Sequence, residues 1–241
     1  MKVADNVKNK IEKFPEGYVF GYDEFQVEPK KESALKIALF RLTKAGMIER
    51  LSKGRFYKPK KGIIKKLRPD EYEVVKDLLF ENRKPVGYIT GLGIFNKLGL
   101  TTQLSNIIQI GSNFDKKKIQ RGKYKIKFVR QWNPITQNNI YLLQLLDSIR
   151  FIKNIPDTTI HQSFKRLSWL VSELEEDKIK SLTNLALNYP ASTRALTGAM
   201  LENLGYTNMA NRLLKSLKPT TWYNFGISNE LIPDKQKWKI K

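Results

Sequence analysis

The sequence predicts an α+β chain in two parts: a small helix-and-hairpin domain over residues 1–66, and a larger α+β domain over 67–241 that turns helical from about residue 139. Three observations predict this. Leu35, Ala38, Leu39, Leu42 and Ala45 recur at helical spacing and stop at Gly46. The apolar runs Met47–Leu51 and Arg55–Tyr57 flank the turn Ser52-Lys53-Gly54, a hairpin pattern closed by Pro59. Beyond residue 139 the apolar residues follow a helical period, whereas residues 106–130 hold strand-like runs. At 241 residues, two domains are the natural division, and 41% hydrophobic residues suffice for a core in each.

The first domain reads in order. Val3, Val7, Ile11 and Phe14 make one face of an opening helix that ends before Pro15-Glu16-Gly17. Tyr18-Val19-Phe20 is a short apolar run, and Tyr22-Asp23-Glu24-Phe25 with Val27 suggests a short second helix. Ser33 is the expected N-cap of the third, which Gly46 ends because a residue without Cβ enters the left-handed region freely. The face opposite its apolar stripe carries Lys36, Ile37, Phe40, Arg41 and Lys44, and the hairpin tip carries Lys53 and Arg55. Basic side chains on a projecting helix and an adjoining loop suit a DNA groove and its flanking phosphates. On this reading Lys31, Ser33, Lys36, Phe40 and Arg41 enter the major groove, while Lys44, Lys53 and Arg55 hold phosphates. Lys58, Lys60, Lys61, Lys65 and Lys66 follow as a basic linker, either tracking DNA or merely solvated.

Charge supports a polyanionic partner. The chain holds 44 Lys and Arg against 23 Asp and Glu, a formal charge of +21, of which +9 lies in residues 1–66 and +12 in the remainder. Cysteine is absent, which excludes disulfides and thiol chemistry. The N-terminal residues lack the apolar core of a signal peptide, and no stretch reaches 18 apolar residues. A cytoplasmic protein without membrane contact is the expectation.

In the second domain a helix bearing Tyr72, Val75, Leu78 and Leu79 is predicted from Pro69 to Asn82, then a glycine-capped helix near 90–98 and a β-type run over 106–111. Gly91 and Gly93 begin a dinucleotide fingerprint, but Asn96 occupies the place of its third glycine. Residues 115–130 hold eight basic side chains and one acid, and from Lys123 they alternate between Tyr124, Ile126, Phe128 and Lys123, Lys125, Lys127. Two readings stand: an edge strand guarded by lysines, or a second phosphate-binding surface using Lys116, Lys117, Lys118, Arg121 and Lys123. Helices follow at 139–152, from Pro156, over 160–187, and as a pair at 193–204 and 207–217. The aromatic tail with Trp222, Tyr223, Phe225 and Trp238 is expected to pack back on the body.

The string Ala38–Arg50, followed by Gly54-Arg55-Phe56-Tyr57, resembles the winged helix-turn-helix domains of bacterial regulators. With Tyr88-Ile89-Thr90-Gly91-Leu92, then Leu98-Gly99-Leu100-Thr101-Thr102-Gln103 and an Ile-rich strand, the order resembles the AbiEi family of abortive-infection type IV antitoxins over roughly residues 3–155. The resemblance implies a transcriptional regulator that represses its own operon through double-stranded operator DNA. It also implies opposition to a nucleotidyltransferase toxin encoded nearby, with or without a stable complex. The alternative is an interaction module that sequesters a toxin or acidic partner without specific DNA binding.

No enzyme, metal or cofactor is expected. His161 is the sole histidine, so a two-histidine metal site is impossible within one chain. Glu173, Glu175 and Glu176 are neighbours on a helix and do not converge. Neither a Gly-x-Ser-x-Gly nor a Walker-type string occurs.

Overall fold

The computed structural model describes residues 3–60, 62 and 67–241. In chain order the elements are α1 (Val3–Lys13), β1 (Val19–Gly21), 3-10 turns at Tyr22–Phe25 and Pro29–Lys31, α2 (Glu32–Lys44), β2 (Glu49–Ser52), β3 (Arg55–Tyr57) and α3 (Glu71–Leu79). Then come β4 (Phe80–Glu81), β5 (Lys84–Pro85), β6 (Gly87–Thr90), α4 (Leu92–Lys97), β7 (Ile107–Ser112), β8 (Ile119–Arg121) and β9 (Tyr124–Arg130). The chain closes with α5 (Ile140–Arg150), a 3-10 turn at Ile152–Asn154, α6 (Ile160–Ser172), α7 (Glu176–Ala186), α8 (Ala191–Asn203) and α9 (Thr207–Leu214). This is the expected α+β class.

Two compact units emerge, one of Met1–Asp77 with Ile119–Lys125, the other of Leu78–Lys118 with Ile126–Lys241. The division differs from the expected break after residue 66. Most of α3 belongs to the first unit because Glu73 accepts the Val19 backbone N–H at 2.8 Å and Lys76 sits 3.4 Å above the Tyr18 ring. Residues 119–125 join it through Arg121, described below. Among the expected linker residues, Lys61, Lys65 and Lys66 lie outside the described residues. Lys58 is no linker residue: its ammonium donates to the carbonyls of Glu12 and Phe14 at 2.7 and 2.8 Å, satisfying acceptors that the end of α1 leaves open.

The first unit is a winged helix. Its sheet order is β1-β3-β2, with Val19 opposite Tyr57 and Glu49 opposite Tyr57 from the other side. Val7 and Ile11 of α1, Leu35, Ala38 and Leu39 of α2, and Phe20, Ile48 and Phe56 form its core. Burying each large side chain there contributes about 1.5–3 kcal/mol. Gly46, at φ +70°, stops α2 as expected, and the Met47 N–H returns to the Leu42 carbonyl at 3.0 Å. Two local expectations change. The second helix is a single 3-10 turn, Tyr22–Phe25, ended by Gln26 in the left-handed region. Ser33 is not the N-cap, because the Pro29–Lys31 turn runs straight into α2 and leaves Ser33 within its first turn.

The second unit packs helices against antiparallel strands. β6 pairs β7 with Ile89 opposite Ile110, and α5 presents Leu142, Leu143, Leu145, Leu146 and Ile149 to the interior. In the strand order β6-β7-β9-β8, β9 is internal, so the edge-strand reading of 123–130 does not hold. α3 ends at Leu79 rather than Asn82, since Asn82 and Arg83 adopt positive φ in the turn joining β4 to β5. The buried strand β6 was not foreseen, and the helix placed at 90–98 begins only at Leu92. The helix after Pro156 begins at Ile160, where Thr159 and Gln162 form a capping box. The tail folds back in part: Phe225 is buried, and Trp238 is fully buried with its indole donating to Glu202 at 2.8 Å, whereas Trp222 is exposed.

Candidate nucleic-acid interface

α2 buries Leu35, Ala38 and Leu39 and turns the opposite stripe outward: Ser33, Lys36, Ile37, Phe40, Arg41 and Lys44 are all exposed. Lys31 is exposed at its entrance. Lys31 pairs with Glu28 at 3.1 Å and Lys36 with Glu32 at 3.0 Å. Such solvated pairs contribute about 0.2–1 kcal/mol and exchange readily for a phosphate. The Lys44 ammonium stands 5.7 Å from the Phe40 ring centre.

Tyr22 links this helix to the wing. Its ring lies under Lys36 at 5.9 Å, meets Phe56 of β3 edge-on at 5.9 Å, and packs beside Gly54. Gly54, at φ +74°, closes the turn between β2 and β3, and Lys53 projects from that tip. Tyr22 thus joins Lys36 of α2 to the turn that carries the exposed Lys53. Tyr22, Ile37 and Arg50, outside the expected contact set, are exposed as well. Arg50 is exposed on β2 and donates to its own strand at Ser52.

Two expected contacts are engaged elsewhere. Arg121 is buried: its two terminal nitrogens bind the Asp77 oxygens at 2.6 and 2.8 Å, and one also reaches the Val74 carbonyl at 2.6 Å. Arg55 completes the cluster at 2.6 Å from Asp77. Burial alone would raise the Asp77 pKa, but hydrogen bonds and charge from Arg121, then the charge of Arg55, outweigh it and hold the carboxyl below its usual range. Neither guanidinium is a free phosphate ligand. Both brace α3 and the β8 hairpin against the wing.

The remaining basic set is divided. Lys116, Lys117 and Lys118 are exposed in the second unit, and Lys123 is exposed in the first, beside the Tyr124 ring. The described residues contain no cluster of three or more His, Cys, Asp or Glu able to hold a metal ion. His161 is partly exposed on α6, and Glu176 pairs with Lys180.

The second unit holds a buried polar core instead. Asp147 on α5 accepts hydroxyls from Tyr88 at 2.7 Å, Thr90 at 2.8 Å and Tyr189 at 3.0 Å, and Gln131 donates to both tyrosines at 2.8 Å. Burial raises the Asp147 pKa against these hydrogen bonds. With solvent excluded, the cluster fixes packing rather than meeting a substrate. A separate cavity of about 360 Å³ opens near α4 and β7, with Gln109 and Lys127 on its wall.

Fold and surface together define an α+β protein built on a winged helix with an open basic edge. The chain belongs to DUF6088, a family of unknown function whose sequence pattern matches residues 6–182. It is similar to the crystal structure of the RV2827C protein from Mycobacterium tuberculosis, with 12% identity, a TM-score of 0.55, and coverage of 100% of this chain and 91% of that one. At that identity the likeness concerns the fold alone. No curated protein sequence matches the chain. Among the described residues, no helix is long and apolar enough to cross a membrane.

Proposed function

We propose that this chain is a cytoplasmic DNA-binding repressor of its own operon and the antitoxin of a type IV pair resembling AbiEi. The observation that carries the reading is the outward stripe of α2, with Lys36, Phe40 and Arg41 open to solvent and Lys53 on the neighbouring wing tip. A helix that seats its apolar face on its own small core and offers cations outward fits a major groove, and a basic hairpin beside it fits the adjacent backbone. The formal charge of +21 supports a polyanionic partner. A reporter driven by the DNA upstream of the chain's own reading frame tests the proposal. Repression by the full chain that is lost on Lys36→Gln with Arg41→Gln supports it; failure of the full chain to repress or to shift that DNA overturns it.

A second reading, a module that captures a toxin or an acidic partner, draws on the second unit. Trp169 is exposed with the Arg166 guanidinium 4.4 Å from its ring centre, and Trp132 is exposed with Arg150 at 5.6 Å. Tryptophan and arginine are the residues that most often dominate protein interfaces. Co-purification of a nucleotidyltransferase encoded next to this chain, abolished by Trp169→Ala, would favour it.

A further inference from the structure

The outward stripe of α2 is chemically uneven. Its two central positions, Ile37 and Phe40, are apolar and yet 51% and 61% exposed. The core beneath is already filled by Leu35, Ala38 and Leu39, so nothing within the unit requires them to be apolar. No asparagine or glutamine stands on the stripe. Arg41 is the one guanidinium on the stripe and so its side chain best suited to bidentate hydrogen bonding with guanine.

In the major groove of B-DNA, the apolar group offered by a base edge is the C5 methyl of thymine. An isoleucine or phenylalanine placed over guanine or cytosine would strip water from donors and acceptors and return no hydrogen bond. Over thymine the same side chains bury a methyl. Cations before and after the apolar pair, Lys36 on one side and Lys44 on the other, hold the helix in register by gripping phosphates.

Resting on the DNA-binding reading above, we infer that Ile37 and Phe40 are specificity-determining residues that read thymine methyls, so the preferred duplex is rich in A·T pairs opposite the centre of α2. Each methyl buried against them is worth about fourfold in affinity.

Replacing thymine by 2′-deoxyuridine removes that methyl while retaining every hydrogen-bonding group. A short duplex enriched from a random library by the full chain is synthesised in both forms and titrated by fluorescence anisotropy. The expected result is about fourfold weaker binding for each contacted methyl removed, with the difference shrinking in Phe40→Ala and in Ile37→Ala. Both side chains are exposed, so these variants keep the fold, and an unchanged thermal transition verifies it. Equal affinity for the thymine and deoxyuridine duplexes overturns the inference while leaving DNA binding intact. A thymine preference that survives in both variants overturns the assignment to these residues. Failure to enrich any duplex overturns this inference and the DNA-binding reading together.

Discussion

Asp77 anchors the first unit, and replacing it by asparagine has a consequence that follows from its geometry. The carboxylate receives two hydrogen bonds from Arg121 and one ion pair from Arg55, all between 2.6 and 2.8 Å. The Arg121 side chain is only 7% exposed, so its charge cannot turn to water when the partner is lost. Breaking a buried pair from one side costs about 3–5 kcal/mol. Asp77 is itself 26% exposed and the Val74 carbonyl still accepts from Arg121, which places the loss near the lower end, about 3 kcal/mol. The pH dependence has a definite sign. Because the folded pKa lies below the unfolded value, the carboxylate's contribution is fully present above the unfolded pKa, about 4, and is lost as pH falls through the lowered folded value. Urea unfolding followed by circular dichroism should therefore show Asp77→Asn well below wild type at neutral pH, with the gap closing in acid. Replacing Asp77 and Arg121 together by leucine and methionine should recover part of the loss, since the most deeply buried charge is gone and Arg55, 29% exposed, can turn to water. An asparagine variant as stable as wild type at neutral pH would refute this role for the cluster.

Arg55→Gln should lower stability by about 1–2 kcal/mol while leaving the salt dependence of DNA binding unchanged, because its guanidinium serves Asp77; a flattened salt slope would return Arg55 to the DNA-contacting set. Gly198→Ala should destabilise by about 1–3 kcal/mol in a thermal melt, since a methyl there overlaps the buried Trp238 ring; a raised melting temperature would contradict that packing. Asp147→Leu should cost about 3 kcal/mol or more, because it leaves the buried hydroxyls of Tyr88 and Thr90 without their acceptor and Tyr189 with only the Leu143 carbonyl at 3.3 Å. Unchanged stability in urea would mean those hydroxyls find other partners.

Local signals carried the winged helix. The spacing from Leu35 to Leu42, the stop at Gly46 and the turn at Gly54 each depend on residues within a few positions of one another, and all three are found in the fold. The failures involve distance along the chain. Arg121 sits in a run of exposed lysines, so composition assigns it to solvent, and its burial follows from Asp77, far away in sequence. β6 is buried at every position and thus shows no alternation that would mark it as a strand. The Asp147 cluster draws on Tyr88, Gln131 and Tyr189, each an unremarkable polar residue in its own segment. Lys58 stands in a run of lysines that suggests a linker, because a carbonyl acceptor at the end of another helix leaves no mark in the residues around it.

The salt dependence of duplex binding tests the basic edge most directly. For the full chain, log K against log salt should fall steeply, and neutralising Lys36, Arg41, Lys44 and Lys53 to glutamine should flatten the slope by roughly 0.9 for each phosphate contact removed. A slope identical to wild type in that variant, or one that flattens only when Lys116, Lys117 and Lys118 are neutralised, would mean that α2 and the wing do not hold the DNA.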